Sequence, residues 1–267
     1  MFFFSVPRSA SSTLTTKFTP PSIRLISANL QPHNRFPFAP RFSSTITIKM
    51  APERRLPGNT AVFVCDMQEK FRNPIWQFDK ILLTTQKVLR AAQILKLPVY
   101  VTTQNGSKLG PVVPELSDLI KDAKVHADKT LFSMMIPEVA ADFPDLLELV
   151  QDNLDADGAE DVEEEARNIA IVGIESHVCV TQTAMDLLNR GHHVYVLADG
   201  VSSCNEQEVP LALARLRQEG AIVTTSESFI FECMGDAGIP EFRDVSKLIK
   251  ETSADTKTVL GGLLSKM

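Results

Sequence analysis

Three residues of this 267-residue chain join reactive chemistry to an informative position. Cys179 stands in Gly173-Ile174-Glu175-Ser176-His177-Val178-Cys179-Val180, where an apolar run turns into a helical segment. A thiol in the first turn of a helix meets unpaired backbone N–H groups and the positive end of the dipole, and both favour thiolate. The same N–H groups can hold a developing oxyanion. Asp66 directly follows the apolar run Thr60-Ala61-Val62-Phe63-Val64-Cys65. An acid there is expensive to bury unless it is paired or functional. Lys129 follows Asp128 at the end of a weaker run, Lys124-Val125-His126. Together they supply a nucleophile, a base to take its proton and a cation to hold charge. Each also has a plainer reading: a small buried apolar residue, a helix cap or turn acid, and a solvated surface lysine.

The elements that must position these residues alternate. Thr60–Cys65, Val99–Thr103, Lys124–His126, Asn168–Ile174, His193–Ala198 and Ala221–Thr225 read as short buried strands. Helical spacing runs between them over 80–95, 177–190 and the stretch carrying Val209, Ala212, Leu213 and Leu216, with Gly220 as its C-terminal stop. Strands joined by single helices imply right-handed crossovers and a parallel sheet covered on both faces. The expected fold is a three-layer α/β/α sandwich around a mostly parallel six-stranded sheet, Rossmann-like in outline. Ligands in such sheets bind beyond the carboxyl ends of the strands. The residues to search are therefore Asp66, Gln104, Asp128-Lys129, Glu175 to Cys179 and Asp199-Gly200. No GxGxxG or Walker A loop is present to suggest a nucleotide.

Composition narrows the classes. No apolar run approaches the roughly 20 residues that span a bilayer, so no membrane helix is expected. The four cysteines have no paired spacing and read as free thiols of a reducing compartment. Residues 1–49 hold six basic side chains and no acid, leaving 21 basic and all 33 acidic side chains in 50–267, a net of −12. So acidic a body argues against nucleic acid. The segment 1–55 reads as a leader, 56–251 as the catalytic domain and 252–267 as a C-terminal tail. Residues 152–165 carry eight acids and no base, the mark of a solvated loop. Asn153, Asp155, Asp157, Gly158 and Glu164 also fall at calcium-loop spacing. Glu160 at the eighth position and the absence of a following helix count against calcium.

The motifs resemble those of the isochorismatase-like cysteine hydrolase family. Val64-Cys65-Asp66-Met67-Gln68, Asp128-Lys129-Thr130-Leu131-Phe132-Ser133, the Cys179 segment and Asp199-Gly200-Val201-Ser202-Ser203 match it in order, over about 59–250. The resemblance implies Asp66 as general base, Lys129 as charge stabiliser and Cys179 as nucleophile. It further implies a cis Ile174–Glu175 bond, an oxyanion hole from the N–H groups of Glu175 and Cys179, and a homo-oligomer. Zinc-assisted nicotinamidases of the family carry two histidines near the first two strands. Thr102-Thr103-Gln104-Asn105-Gly106 has none, and no histidine lies between 34 and 125, so no metal or other cofactor is expected. Isochorismate-cleaving members typically lack the cysteine. Cys179 therefore points to acyl cleavage of a small amide or ureido substrate, with a catalytically idle scaffold or a vinyl-ether hydrolase as alternatives. Phe71 and Gln104 are the expected substrate contacts, and His177 a rim residue. His126 is expected on a strand or pocket wall, Trp76, Phe132 and Met135 in the core or pocket lining, and Cys65, Cys204 and Cys233 as small packed hydrophobes.

The basic, hydroxylated, acid-free leader has the composition of a mitochondrial transit peptide, with Arg41-Phe42-Ser43-Ser44 as a processing region. The bland alternative is an upstream extension before a start at Met50. N-terminal sequencing of the protein from its native cells is expected to find a start at or just after this region. An intact Met1, or a uniform start at Met50 with cytosolic distribution, would overturn the assignment.

Overall fold

The structure, a computed structural model, describes residues 56, 59–149 and 166–264. The leader 1–55 and the acidic segment 152–165 lie outside them. The strands are β1 (Thr60–Cys65), β2 (Val99–Gln104), β3 (Val125–Lys129), β4 (Asn168–Ile174), β5 (His193–Ser202) and β6 (Ile222–Thr224). They form one sheet in the order β3-β2-β1-β4-β5-β6, and every pairing is parallel. The principal helices are α1 (Phe78–Leu95), α2 (Thr181–Asn189), α3 (Glu208–Gln218), α4 (Ser226–Met234), α5 (Phe242–Glu251) and α6 (Ser253–Leu263). None among the described residues is long and apolar enough to cross a membrane.

Alternation along β1 divides the core. Val62 and Val64 pack with residues of α1, α4, α5 and α6 on one face. Ala61, Phe63 and Cys65 pack with α2 and α3 on the other. Both β1 and β4 are buried along their whole length, as central strands covered by helices must be. By contrast β3 is an edge strand in which His126 and Asp128 are exposed and only Lys129 is buried. Where α3 ends, the Ala221 N–H reaches Leu216 O and the Gly220 N–H reaches Arg217 O. Gly220, at φ +103°, makes this left-handed stop.

Two expectations need correction. The strand over 193–198 continues to Ser202, so Asp199 lies buried within β5 instead of just beyond it. Its carboxylate accepts the Ser226 N–H and O–H and thereby fixes the start of α4. The supposed tail after 251 is the helix α6, with Val259 and Leu263 buried against the α1 face. The Lys87 ammonium of α1 also donates to Thr256 Oγ1 at 2.9 Å. An apolar pair one turn apart outweighs the helix-weakening glycines Gly261 and Gly262.

The chain leaves β1 toward β2 and leaves β4 toward β5, so the topological switch point lies between β1 and β4. Gly173, opposite Cys65, sets how closely these strands approach. It has φ +114°, and a Cβ there would stand 2.1 Å from the Cys65 carbonyl oxygen. Only glycine fits.

His192 is buried beside Phe143, and burial pushes its imidazole down to about 4. The unfolded chain binds this proton at its ordinary value near 6.5. Stability is therefore full above that value and falls as pH drops through the window from about 6.5 to 4. At and below pH 4 the loss from this group approaches about 3 kcal/mol. Urea unfolding at pH 7 and 4.5 is expected to show a smaller acid loss in His192→Phe than in wild type. An identical loss would remove His192 as the cause.

Candidate active site

Asp66, Lys129 and Cys179 come from the carboxyl ends of β1, β3 and β4 and meet at the switch point. Asp66 leaves β1 with φ +51° and is almost wholly buried. Lys129 crosses over β2 to reach it, its Nζ lying 2.7 Å from Asp66 Oδ2, with the two side chains 0% and 2% exposed. The second carboxylate oxygen accepts the Thr102 hydroxyl at 2.8 Å. The Lys129 ammonium also meets Gln104 Oε1 at 2.8 Å and the carbonyls of Phe132 and Leu131 at 3.1 and 3.2 Å. Burial alone would lower its pKa; the surrounding Cys65, Asp66 and Cys179 outweigh that and hold it above the ordinary value.

Cys179 is 7% exposed. It lies in a single π turn, Ser176–Val180, that feeds straight into α2, with the Val180 N–H reaching back to Glu175 O at 3.1 Å. Such widened turns recur at functional sites. Thr181 Oγ1 donates to Ser176 O and Thr183 Oγ1 to Cys179 O, so the turn is held from the following helix. Thr183 Oγ1 in turn accepts the Met134 N–H, joining the loop after Lys129 to the same anchor. The Ile174–Glu175 peptide bond is cis.

The remaining expected residues fall differently. Gln104 has its side chain engaged between Lys129 and Thr130 O, so it helps to hold the lysine. Phe71 sits half-buried in the turn Glu69–Phe71 and packs with the α1-face core, whereas Cys179 belongs to the opposite one. His177 is half-buried at the rim, its Nδ1 2.9 Å from Ser203 Oγ. Trp76 packs against the core, half-buried, while Phe132 is exposed beside Lys129.

Three residues escaped the sequence reading. Gln68 is fully buried; it accepts the Gln104 N–H and donates to the carbonyls of Gln104 and Gly110, locking the loops after β1 and β2 together. Thr102, paired in register with Cys65, orients Asp66. Cys65 is no mere hydrophobe, since its thiol contacts Asp66 Oδ2 at 3.7 Å. The signal for Gln68 and Thr102 was a polar side chain inside an otherwise apolar strand-end motif.

Among the described residues, two groups could hold a metal ion: Cys65, Asp66 and Cys179, and Glu175, His177 and Cys204, with ligand atoms within 4.8 Å in each. In the first, Asp66 is already paired with Lys129. In the second, Glu175 already accepts the Cys204 N–H at 2.8 Å. A cleft of about 560 Å³ is lined by Asp199, Glu227, Ser228, Phe231 and Thr256, with no thiol and no cation among its lining residues.

A family model described as the isochorismatase domain matches residues 60–228. The secreted isochorismatase effector Isc1 of Phytophthora sojae is 41% identical over 201 residues, covering 74% of this chain and 88% of that protein. Isochorismatase domain-containing protein 2 of Xenopus laevis is 39% identical over 207 residues, covering 78% and 89%. Among solved structures, the MAR1 ribonuclease of Caenorhabditis elegans superposes with a TM-score of 0.62 at 39% identity, covering 74% of this chain and 93% of that one.

The buried Asp66–Lys129 pair makes a stability prediction. Removing one member leaves an uncompensated charge, which typically costs about 3–5 kcal/mol. Lys129→Met and Asp66→Leu are each expected to lose that much in denaturant unfolding. The double variant is expected to lose much less than their sum. Additive losses would show that the two charges do not stabilise one another.

Proposed function

The chain belongs to the isochorismatase family, and we propose that it is a cysteine hydrolase acting on a small amide, ureido compound or related acyl donor. The observation that carries this reading is the meeting of a cysteine sulfur, a carboxylate and an ammonium within one buried cluster. Asp66 takes the Cys179 proton, and the sulfur attacks the carbonyl carbon. The oxyanion is received by the backbone N–H groups of Glu175 and Cys179. Collapse breaks the C–N bond, Asp66 returns the proton to the leaving amine, and a thioester remains. Asp66 then takes a proton from a water whose oxygen attacks the thioester carbon; the C–S bond breaks, the acid product leaves, and the Cys179 sulfur regains its proton from Asp66. The first proton transfer moves one negative charge from Asp66 to the sulfur beside Lys129, so it leaves the balance of the buried site unchanged until the oxyanion forms. Metal independence rests on the ligand set, because the loop after β2 supplies no histidine.

Two names among the relatives suggest other substrates. The Phytophthora sojae protein is called an isochorismatase, and isochorismate hydrolysis would need the carboxylate without the thiol. The Caenorhabditis elegans protein is called a ribonuclease. The net of −12 over residues 50–267 favours a small substrate over a polyanion. Small amides and ureido compounds, isochorismate and RNA should be offered to wild type and to Cys179→Ala. Amide or ureido turnover is expected in wild type, falling by on the order of 10³-fold or more in the variant. Isochorismate or RNA turnover that survives in Cys179→Ala, with no acyl substrate cleaved, would overturn the proposal.

A further inference from the structure

We propose that Cys65 and Cys179 form a modification site for hydroperoxides, at which oxidation joins the two sulfurs and reversibly silences the nucleophile. The proposal rests on the reading of Cys179 as the reactive thiol. The two cysteines arrive from different strands, Cys65 as the last residue of β1 and Cys179 from the turn after β4, yet both belong to the same core face. Their sulfurs and an Asp66 oxygen lie within 4.8 Å of one another. The catalytic mechanism has no use for Cys65. A second thiol against a nucleophilic one is nevertheless what traps a sulfenic acid before it oxidises further.

The site also holds the base that each step requires. Asp66 removes the Cys179 proton, and the thiolate attacks one peroxide oxygen. The O–O bond breaks, and the departing hydroxide regains the proton from Asp66 as water, leaving Cys179 as sulfenic acid. The Cys65 thiol already points at Asp66 Oδ2, 3.7 Å away. Burial, contact with Cys179 and the Asp66 charge hold that thiol well above its ordinary range, so at rest it keeps its proton and leaves the first attack to Cys179. Once Asp66 has taken this proton, the Cys65 sulfur attacks the Cys179 sulfur, the S–O bond breaks, and a second water leaves. Two thiols and one hydrogen peroxide yield one disulfide and two waters, with two electrons passing from sulfur to peroxide. Lys129 faces a single anion at every stage.

The remaining cysteines do not compete. Cys204 is exposed at the rim, and Cys233 packs in the core of the opposite face. Hydrogen peroxide is little larger than water, so a 7% exposed sulfur that admits a substrate also admits it.

The full-length protein is treated with stoichiometric hydrogen peroxide and then alkylated with iodoacetamide. Intact mass and peptide mapping follow, before and after dithiothreitol. Wild type is expected to lose two hydrogens, to yield a Cys65–Cys179 linked peptide, and to recover Cys179 alkylation on reduction. Cys65→Ala and Cys65→Ser are expected to carry Cys179 to sulfinic acid, which dithiothreitol does not reverse. Should Cys179 oxidise in wild type without a link to Cys65, or link to Cys204, the inference fails while the nucleophile reading stands. If Cys179 alkylates and oxidises no faster than Cys204, the nucleophile reading fails with it. The wild-type peptide map decides even if neither Cys65 variant folds.

Discussion

One buried cation governs the switch point. Lys129 is withdrawn from water and fixed by a carboxylate, an amide oxygen and two backbone carbonyls. Desolvating an ammonium is tolerable only when the geometry of its partners is good. That requirement reaches far into the fold. It draws the end of an exposed edge strand inward, turns the carbonyls of Leu131 and Phe132 toward the site, and assigns Gln104 and Gln68 to holding the intervening loops. It also fixes the charge of the site. Asp66 is the carboxylate paired with this cation, and the Cys65 and Cys179 sulfurs lie within 4.8 Å of that carboxylate. In the proposed mechanism, moving a charge from oxygen to sulfur within this cluster is a local exchange, not the creation of a new ion pair.

Much of this was legible beforehand, for physical reasons that differ by element. Strands β1 and β4 are apolar after their first residues, Thr60 and Asn168, because both faces are covered, and such runs are plain in a sequence. The edge strand β3 read weakly because half its side chains meet water. Asp199 was misplaced because a polar residue after an apolar run looks like a strand end, although its partner, Ser226, lies 27 positions away. The helix α6 looked like a tail because Gly261 and Gly262 interrupt its pattern, while its burial depends on α1. Cys65 was passed over for a related reason: a continuous apolar run does not say which side chain will face a reactive neighbour. The meeting of Asp66, Lys129 and Cys179 was readable because all three stand at or just beyond strand ends, where open parallel sheets gather their ligands.

The family fold supplies the parallel sheet and its crevice, and the substrate is a separate matter written in the loops. The described loops divide into two kinds. Those after β1 and β2 are held by the buried Gln68 amide. The loop after β3 presents Leu131 and Phe132 outward, more than half exposed, beside the very lysine their carbonyls secure. The site thus has a polar floor tied by hydrogen bonds and an apolar lip open to solvent.

The pairing of β1 with β4 carries a consequence for biosynthesis. Thr60 meets Asn168 across more than a hundred intervening positions, and the same ladder places Gly173 against Cys65. A contact so distant in sequence closes slowly, because a long loop must be ordered before any pairing rewards it. On the ribosome the first half of the sheet can assemble as β3-β2-β1 well before β4 emerges. During that interval β1 presents an unpaired, largely apolar edge, the type of surface that recruits other chains. The strand that leads into the Cys179 turn is thus also the one that seals the nascent sheet, and a molecule in which Cys179 meets Asp66 is one already protected from aggregation along that edge.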